Sequence, residues 1–244
     1  MEIRPTVILT DSSESFLMYL SILLQRMDFE VLPSADGPSL IKLSKAIQPG
    51  LIILGPDILD MNAKQVMTAL QQEDCHAPVL AIGEEVSAEQ GLRDAGCHEF
   101  LTKPIDIESL HKVLSDLRAT PEGQRQHLRV SFHSQLTLTK DEQIIKCQGI
   151  TLSEGGIFIR RKCPFPQGSR LQIELPLGTE GILFLDGEVI YTKQLSKDQF
   201  NSPPGMAIRF MNLIDDDRDM LKAHIKHLLA GDLLEEQDEP ILMG

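Results

Sequence analysis

The chain predicts a parallel, doubly wound α/β unit followed by a small antiparallel β-barrel with a C-terminal helix. Three observations carry this. Over the first 118 residues, short apolar runs alternate five times with stretches of helical periodicity, the pattern of a parallel sheet covered by helices. From Arg129 the apolar period changes to two, and no helical stretch intervenes until residue 215, which suggests many short antiparallel strands. Finally, 244 residues with 42% hydrophobic and 24% charged content are enough for two domains, each with its own core.

Thr6–Thr10 (TVILT) is the first strand and ends at Asp11. Ser15–Met27 carries Phe16, Leu17, Tyr19, Leu20, Leu23 and Leu24 at helical spacing. Glu30–Pro33 is the second strand, and Ser39–Ala46 a helix with Leu40, Ile41 and Leu43 inward. Leu51–Leu54 (LIIL) reads as a strand buried on both faces. Lys64–Gln71 is helical, Pro78–Ile82 the fourth strand and Ala88–Ala95 the next helix. His98–Leu101 and Ile107–Leu117 complete the unit as fifth strand and fifth helix. Sheets of this kind place functional groups at the carboxyl ends of their strands.

Residues 119–124 (ATPEGQ) are a short linker between a first domain at 1–118 and a second at 125–231. The alternation after Arg129 reads as one strand: Val130, Phe132, Ser134, Leu136 and Leu138 on the inner face, Ser131, His133, Gln135, Thr137 and Thr139 on the outer. Lys140–Gln143 is a turn, Ile144–Ile150 a strand, and Thr151–Gly156 a turn into the strand Ile157–Arg161. Strands follow at Arg170–Leu177, at Gly181–Thr192 with a bend at Asp186-Gly187, and at Gly205–Phe210. Asp215–Leu229 is a helix, with Asp215, Asp216 and Asp217 favouring its N-terminal dipole and Leu221, Ile225, Leu228 and Leu229 as its apolar stripe. Residues 232–244 are an acidic tail, expected to fray from Gly231 on.

Charge is uneven along the chain. Residues 1–118 hold 9 Lys and Arg against 18 Asp and Glu, residues 119–231 hold 14 against 13, and residues 232–244 hold five acids and no base. With a net charge of −13 the protein should repel duplex DNA, and any anionic ligand belongs with the arginines of the second domain. No apolar run reaches the roughly 18 residues of a membrane span, and no signal-peptide pattern opens the chain. The four scattered cysteines, Cys75, Cys97, Cys147 and Cys163, suit a reducing cytoplasm. The seven histidines show no metal-ligand spacing. No Ser/His/Asp order, phosphate-binding loop or dinucleotide fingerprint is present. The expectation is therefore a cytoplasmic protein that is not an enzyme, holds no metal or cofactor, and binds neither DNA nor membrane.

One stretch stands out. In Gly149–Arg161 a hydroxyl pair, Thr151 and Ser153, precedes two adjacent glycines. This reads as strand, tight turn, strand, with glycine supplying φ > 0 and room for close approach. Just upstream, Arg125 and Arg129 stand four residues apart at the start of a strand. Guanidinium forks pair phosphates bidentately and stack on bases, so a basic arm and this hairpin can clamp a nucleotide. Arg160 and Arg161 alternate to opposite faces, at most one facing the site, and read as a solvated strand edge.

Arg125, Arg129, Ser153 and Gly156 match the Arg-x-x-x-Arg and (Asp/Asn)-x-Ser-x-x-Gly signature of PilZ domains. The chain resembles that family over about residues 123–230, with Thr151 where the family has Asp or Asn. The resemblance implies cyclic di-GMP as ligand, bound through Arg125, Arg129, Thr151, Ser153 and Gly156. Residues 4–118 similarly resemble response-regulator receiver domains of flavodoxin-like fold. Asp11 falls on the second residue of the acidic pair, and the fifth strand runs into Lys103-Pro104. Thr10 replaces the first acidic residue, Gly55 the phosphoacceptor Asp and Gly83 the switch hydroxyl. Phosphotransfer needs a carboxylate nucleophile and a Mg²⁺ held by several oxygens, and Gly55 offers neither. The first domain then reads as a pseudo-receiver contacting itself or another protein, with Asp11 and Lys103 persisting as a local ion pair or as solvated loop charges. Two alternatives are a ligand-free interaction protein and an atypical regulator phosphorylated at Asp57.

Overall fold

The computed structural model describes residues 4–86, 89–117, 127–178, 181–194 and 203–244. They form two compact units. One runs from His127 to Leu229, and the other combines the N-terminal residues with Ala230–Gly244. The expected linker, 119–124, lies outside the described residues.

The N-terminal unit alternates strand and helix: β1 Thr6–Thr10, α1 Glu14–Arg26, β2 Glu30–Ser34, α2 Gly37–Ile47, β3 Leu51–Leu54, α3 Ala63–Gln72, β4 Val79–Gly83, α4 Glu89–Asp94 and β5 Glu99–Thr102. A two-residue β6, Ile105–Asp106, then leads into α5, Ile107–Asp116. The sheet order is β2-β1-β3-β4-β5, all parallel. Side-chain caps set where the helices begin. Ser13 accepts from the Phe16 N–H, Asp36 from Ser39, and Asp106 from Ser109, while Asn62 and Gln65 form a reciprocal capping box. Val7, Ile8, Leu9, Leu51, Ile52, Ile53 and Leu80 are completely buried, as central parallel strands covered on both faces require.

The expected frayed tail is corrected. A final helix, α6, runs from Asp215 to Glu236, passing through Gly231, and its last turns belong with the N-terminal unit. Arg26 grips Asp232 through two hydrogen bonds of 2.6 Å, and the Tyr19 hydroxyl donates to the Glu236 carbonyl at 2.9 Å. The chain then adds a short parallel strand, β14 (Leu242–Met243), beside β6. Gln237 holds that turn, accepting from the Ile241 and Leu242 N–H groups and donating to the Leu242 carbonyl. Leu233, Ile241 and Leu242 are buried. They are too few and too irregularly spaced to register as a period, so the five acids dominate the reading of the sequence.

The second unit is a barrel of β7 Arg129–Ser131, β8 Gln135–Lys140, β9 Gln143–Ser153, β10 Gly156–Arg160, β11 Arg170–Pro176, β12 Ile182–Lys193 and β13 Gly205–Met211. Its order is β10-β13-β12-β11-β8-β9-β7, and pairing of β9 with β10 closes six strands into a ring. β9 is long enough to serve two partners along one edge, β8 with its first half and β7 with its last three residues. The single strand expected from Val130 to Thr139 is therefore two. The break holds the Phe132 ring inside the barrel against Gly149, where a Cβ would lie 2.4 Å from it. The expected bend at Asp186-Gly187 is absent; β12 shifts register between Val189 and Tyr191 instead. Leu221, Ile225 and Leu229 of α6 are buried, and the His224 and Phe132 rings meet edge to face. Among the described residues no helix is long and apolar enough to cross a membrane.

Candidate functional site

On the barrel, strand register assembles the signature residues. Arg129 on β7 is directly opposite Ser153 on β9, and Ser153 is opposite Gly156 on β10. One step along, Ser131 faces Thr151, and Thr151 faces Phe158. Directly paired residues share a face of the sheet. Arg129, Ser153 and Gly156 thus form one row on the outside of the barrel, and Ser131, Thr151 and Phe158 the next. The residues between them, Val130, Leu152 and Ile157, are buried in the core. Arg125 lies outside the described residues.

The turn is built differently from the expectation. Neither Gly155 nor Gly156 has positive φ. Gly156 is required for space: a Cβ there would sit 2.3 Å from the Ile208 carbonyl oxygen on β13. The Gly155 carbonyl accepts from the Phe210 N–H at 3.0 Å, and the Ser153 hydroxyl donates across the turn to the Gly156 carbonyl at 3.2 Å. Close docking of the turn on β13 holds Ser153 and Thr151 in place. His127, just ahead of Arg129, lies beside the turn, its Nδ1 3.8 Å from the Glu154 carboxylate, so the end of the basic arm borders the same turn.

The two adjacent arginines also separate. Arg160 is exposed and outward, on the face of Gly156 and Phe158. Arg161 turns away, its Nε donating to the Cys163 carbonyl at 2.6 Å and its guanidinium lying 4.7 Å from the Phe165 ring centre. Sequence reasoning passed over Phe158. Its signal is simple alternation, two residues after Gly156 and therefore on the same face.

At the carboxyl ends of the parallel strands, Asp11 occupies the space that a side chain at position 55 would need. A Cβ built on Gly55 would lie 1.8 Å from Asp11 Oδ2. Asp11 is completely buried; its Oδ1 accepts from the Ser13 N–H at 2.6 Å, while the neighbouring Thr10 hydroxyl has no hydrogen-bond partner. Burial pushes the Asp11 pKa above its ordinary value, opposed by the Ser13 hydrogen bond, the Lys103 charge and the Asp57 backbone N–H. Asp11 is thus buried rather than a solvated loop charge, and the Lys103 charge acts on it. Lys103 pairs with Glu84 at 3.1 Å and rests over the Phe16 ring. Asp57 and Asp60 are exposed in the loop after β3. Among the described residues no three His, Cys, Asp or Glu side chains are grouped to hold a metal ion.

Comparison with known proteins divides the chain the same way. The response regulator receiver domain family matches residues 7–115, and the PilZ domain family matches residues 123–227. RpaA of Synechocystis, described as a DNA-binding dual master transcriptional regulator, is 25% identical over 235 residues, covering 92% of this chain and 85% of that protein. DivK of Brucella anthropi, a polar-differentiation response regulator, is 23% identical over 119 residues, covering 46% of this chain and 97% of its own. Among solved structures, the chemotaxis response regulator CheY4 of Vibrio cholerae is 25% identical with a TM-score of 0.44, covering 47% of this chain and 99% of that one.

Proposed function

From a chain that is a response regulator receiver domain followed by a PilZ domain, we infer a non-enzymatic cytoplasmic signalling adaptor whose barrel binds cyclic di-GMP. The observation that carries this reading is the register that brings Arg129, Thr151, Ser153 and Gly156 to one outward patch. The sequence signature adds Arg125 to this set. The ligand presents two phosphates and two guanine faces. Guanidinium groups pair the former and stack on the latter, and the Ser153–Gly156 turn offers a hydroxyl beside them. The net charge of −13 speaks against duplex DNA as partner.

Thr151 favours a second reading. A threonine hydroxyl is shorter than the carboxylate or carboxamide of the signature, and it supplies one oxygen to a guanine edge. Losing one charge-assisted hydrogen bond costs about 1.5–3 kcal/mol, or one to two decades of affinity. Binding is weakened in the first reading and absent in the second, where the chain works by protein contacts alone. In both, the receiver domain acts as an interaction surface, for a second copy or another protein, since Asp11 fills the space of a phosphoacceptor side chain.

Calorimetric titration at fixed salt, with GTP and cyclic di-AMP as controls, decides between them. The expected result is saturable binding of cyclic di-GMP, weakened about ten-fold or more by Arg129→Ala and strengthened by Thr151→Asn. No saturation at millimolar ligand, with no rescue by Thr151→Asn, would establish the ligand-free adaptor instead.

A further inference from the structure

The outward row that begins with Ser131 and Thr151 continues beyond Phe158. Phe158 is opposite Ala207 on β13, and Ala207 is opposite Tyr191 on β12. Ser131, Thr151, Phe158, Ala207 and Tyr191 therefore line up across five strands. The small residue in this row lets two rings meet. Across Ala207, Phe158 and Tyr191 stack with centroids 6.2 Å apart and planes at 29°. Gly205, the next outward position on β13, leaves room for the Phe158 ring, whose Cζ would lie 3.0 Å from a Cβ there. Tyr191 is 42% exposed.

Two bulges aim this row outward. On β9 the register shift leaves Ile150 as an extra residue between Gly149, whose missing side chain faces the Phe132 ring inside the barrel, and Thr151. On β12 the extra residue is Ile190, between buried Val189 and Tyr191. Strict alternation would turn both Thr151 and Tyr191 into the core; each bulge reverses that. Bulges commonly re-aim side chains beside binding sites, and here two independent ones converge on one row. Cations complete the arrangement. Lys193 Nζ lies 5.8 Å from the Phe158 ring centre. Arg160 and Lys193 both stand opposite Gly205, on either side of β13.

We propose that Phe158 and Tyr191, flanked by Arg160 and Lys193, are the second half of the nucleotide site: a stacking platform for a guanine base, with the two cations serving phosphate. Aromatic faces hold bases without needing a particular hydrogen-bond pattern, so the platform offsets the short side chain of Thr151. Thr151 itself lies next to Phe158 in the row, linking the platform to Arg129 and Ser153. This assignment rests on the cyclic di-GMP reading above.

The full-length chain contains no tryptophan, so Tyr191→Trp supplies its sole indole, at the proposed platform. Guanine stacking should quench that emission, saturating at the ligand concentration found by calorimetry. In parallel, Tyr191→Ala should weaken cyclic di-GMP binding about ten-fold, and Tyr191→Phe should stay close to wild type. Saturating ligand that leaves the Tyr191→Trp emission unchanged overturns the platform even if Tyr191→Ala fails to fold. Equal affinity of wild type and Tyr191→Ala, with Arg129→Ala weakened, also overturns it and leaves the ligand reading intact. If no ligand binds to wild type or to any variant, both proposals fall.

Discussion

Adding one methyl group at Gly55 probes the reorganised end of the receiver sheet directly. An alanine Cβ there would lie 1.8 Å from Asp11 Oδ2, 2.6 Å from Cγ and 2.8 Å from Cβ. The carboxylate cannot swing aside freely, because Oδ1 holds the Ser13 N–H at 2.6 Å where α1 begins. Breaking that charge-assisted bond costs about 1.5–3 kcal/mol; keeping it and forcing the methyl in costs about 1–3 kcal/mol of overpacking. Gly55→Ala should therefore destabilise the receiver domain by about 1–3 kcal/mol, lowering its Tm by roughly 4–12 °C. In an Asp11→Ala background two of the three contacts disappear. The same methyl should then cost at least about 1 kcal/mol less, a coupling that differential scanning calorimetry of the four proteins can read. Equal cost in both backgrounds would refute the claim that Asp11 fills the Gly55 space. Gly55→Asp alone should be more damaging still, and it should gain no phosphate from acetyl phosphate and Mg²⁺, as followed by intact mass.

Three further outcomes follow from the geometry. Gly156→Ala places a Cβ 2.3 Å from the Ile208 carbonyl oxygen, so it should separate β10 from β13 and abolish ligand binding, with a barrel Tm lowered even though the backbone φ is ordinary; unchanged stability would contradict the close approach. Leu242→Ala should loosen the C-terminal strap at a cost of about 2–5 kcal/mol, read as faster exchange of the Ile105 N–H that donates to the Ile241 carbonyl at 2.7 Å; acid should loosen it too, because Arg26 holds the Asp232 pKa at about 2 against an ordinary 3.8, a contribution complete above 3.8 and lost as pH falls toward 2.

Much of the fold is legible because the apolar period is clear. Phe16, Leu20, Leu23 and Leu24 define one helix face in the sequence, and the structure adds the Ser13 cap that sets its start. The strap is not legible, since Gly231 reads as a helix stop and Ile241 and Leu242 acquire meaning only beside β6. The break between β7 and β8 is hidden for a different reason. Val130, Phe132, Leu136 and Leu138 keep the inner face in step across it, and only Ser134, expected inward but exposed, betrays it. The bulges are invisible because each extra residue is an isoleucine, which looks like one more strand residue. That concealed the line from Thr151 to Tyr191, although every member of the arginine and hairpin signature could be named in advance.

Two substituted positions, Gly55 and Thr151, differ in kind once their surroundings are known. At Gly55 the missing side chain is built into the packing. Asp11 occupies its space, and Ser13 holds Asp11. Restoring an acceptor there requires moving a charged group that helps start a helix, so a single substitution meets a packed wall. Thr151 is only half-buried, on an outward row whose backbone is set by β7, β10 and a bulge rather than by the threonine itself. A side chain at position 55 meets Asp11, while Thr151 is the one mismatch in the barrel signature. Nucleotide affinity should therefore respond to a single change at Thr151, and phosphate acceptance should not respond to a single change at Gly55.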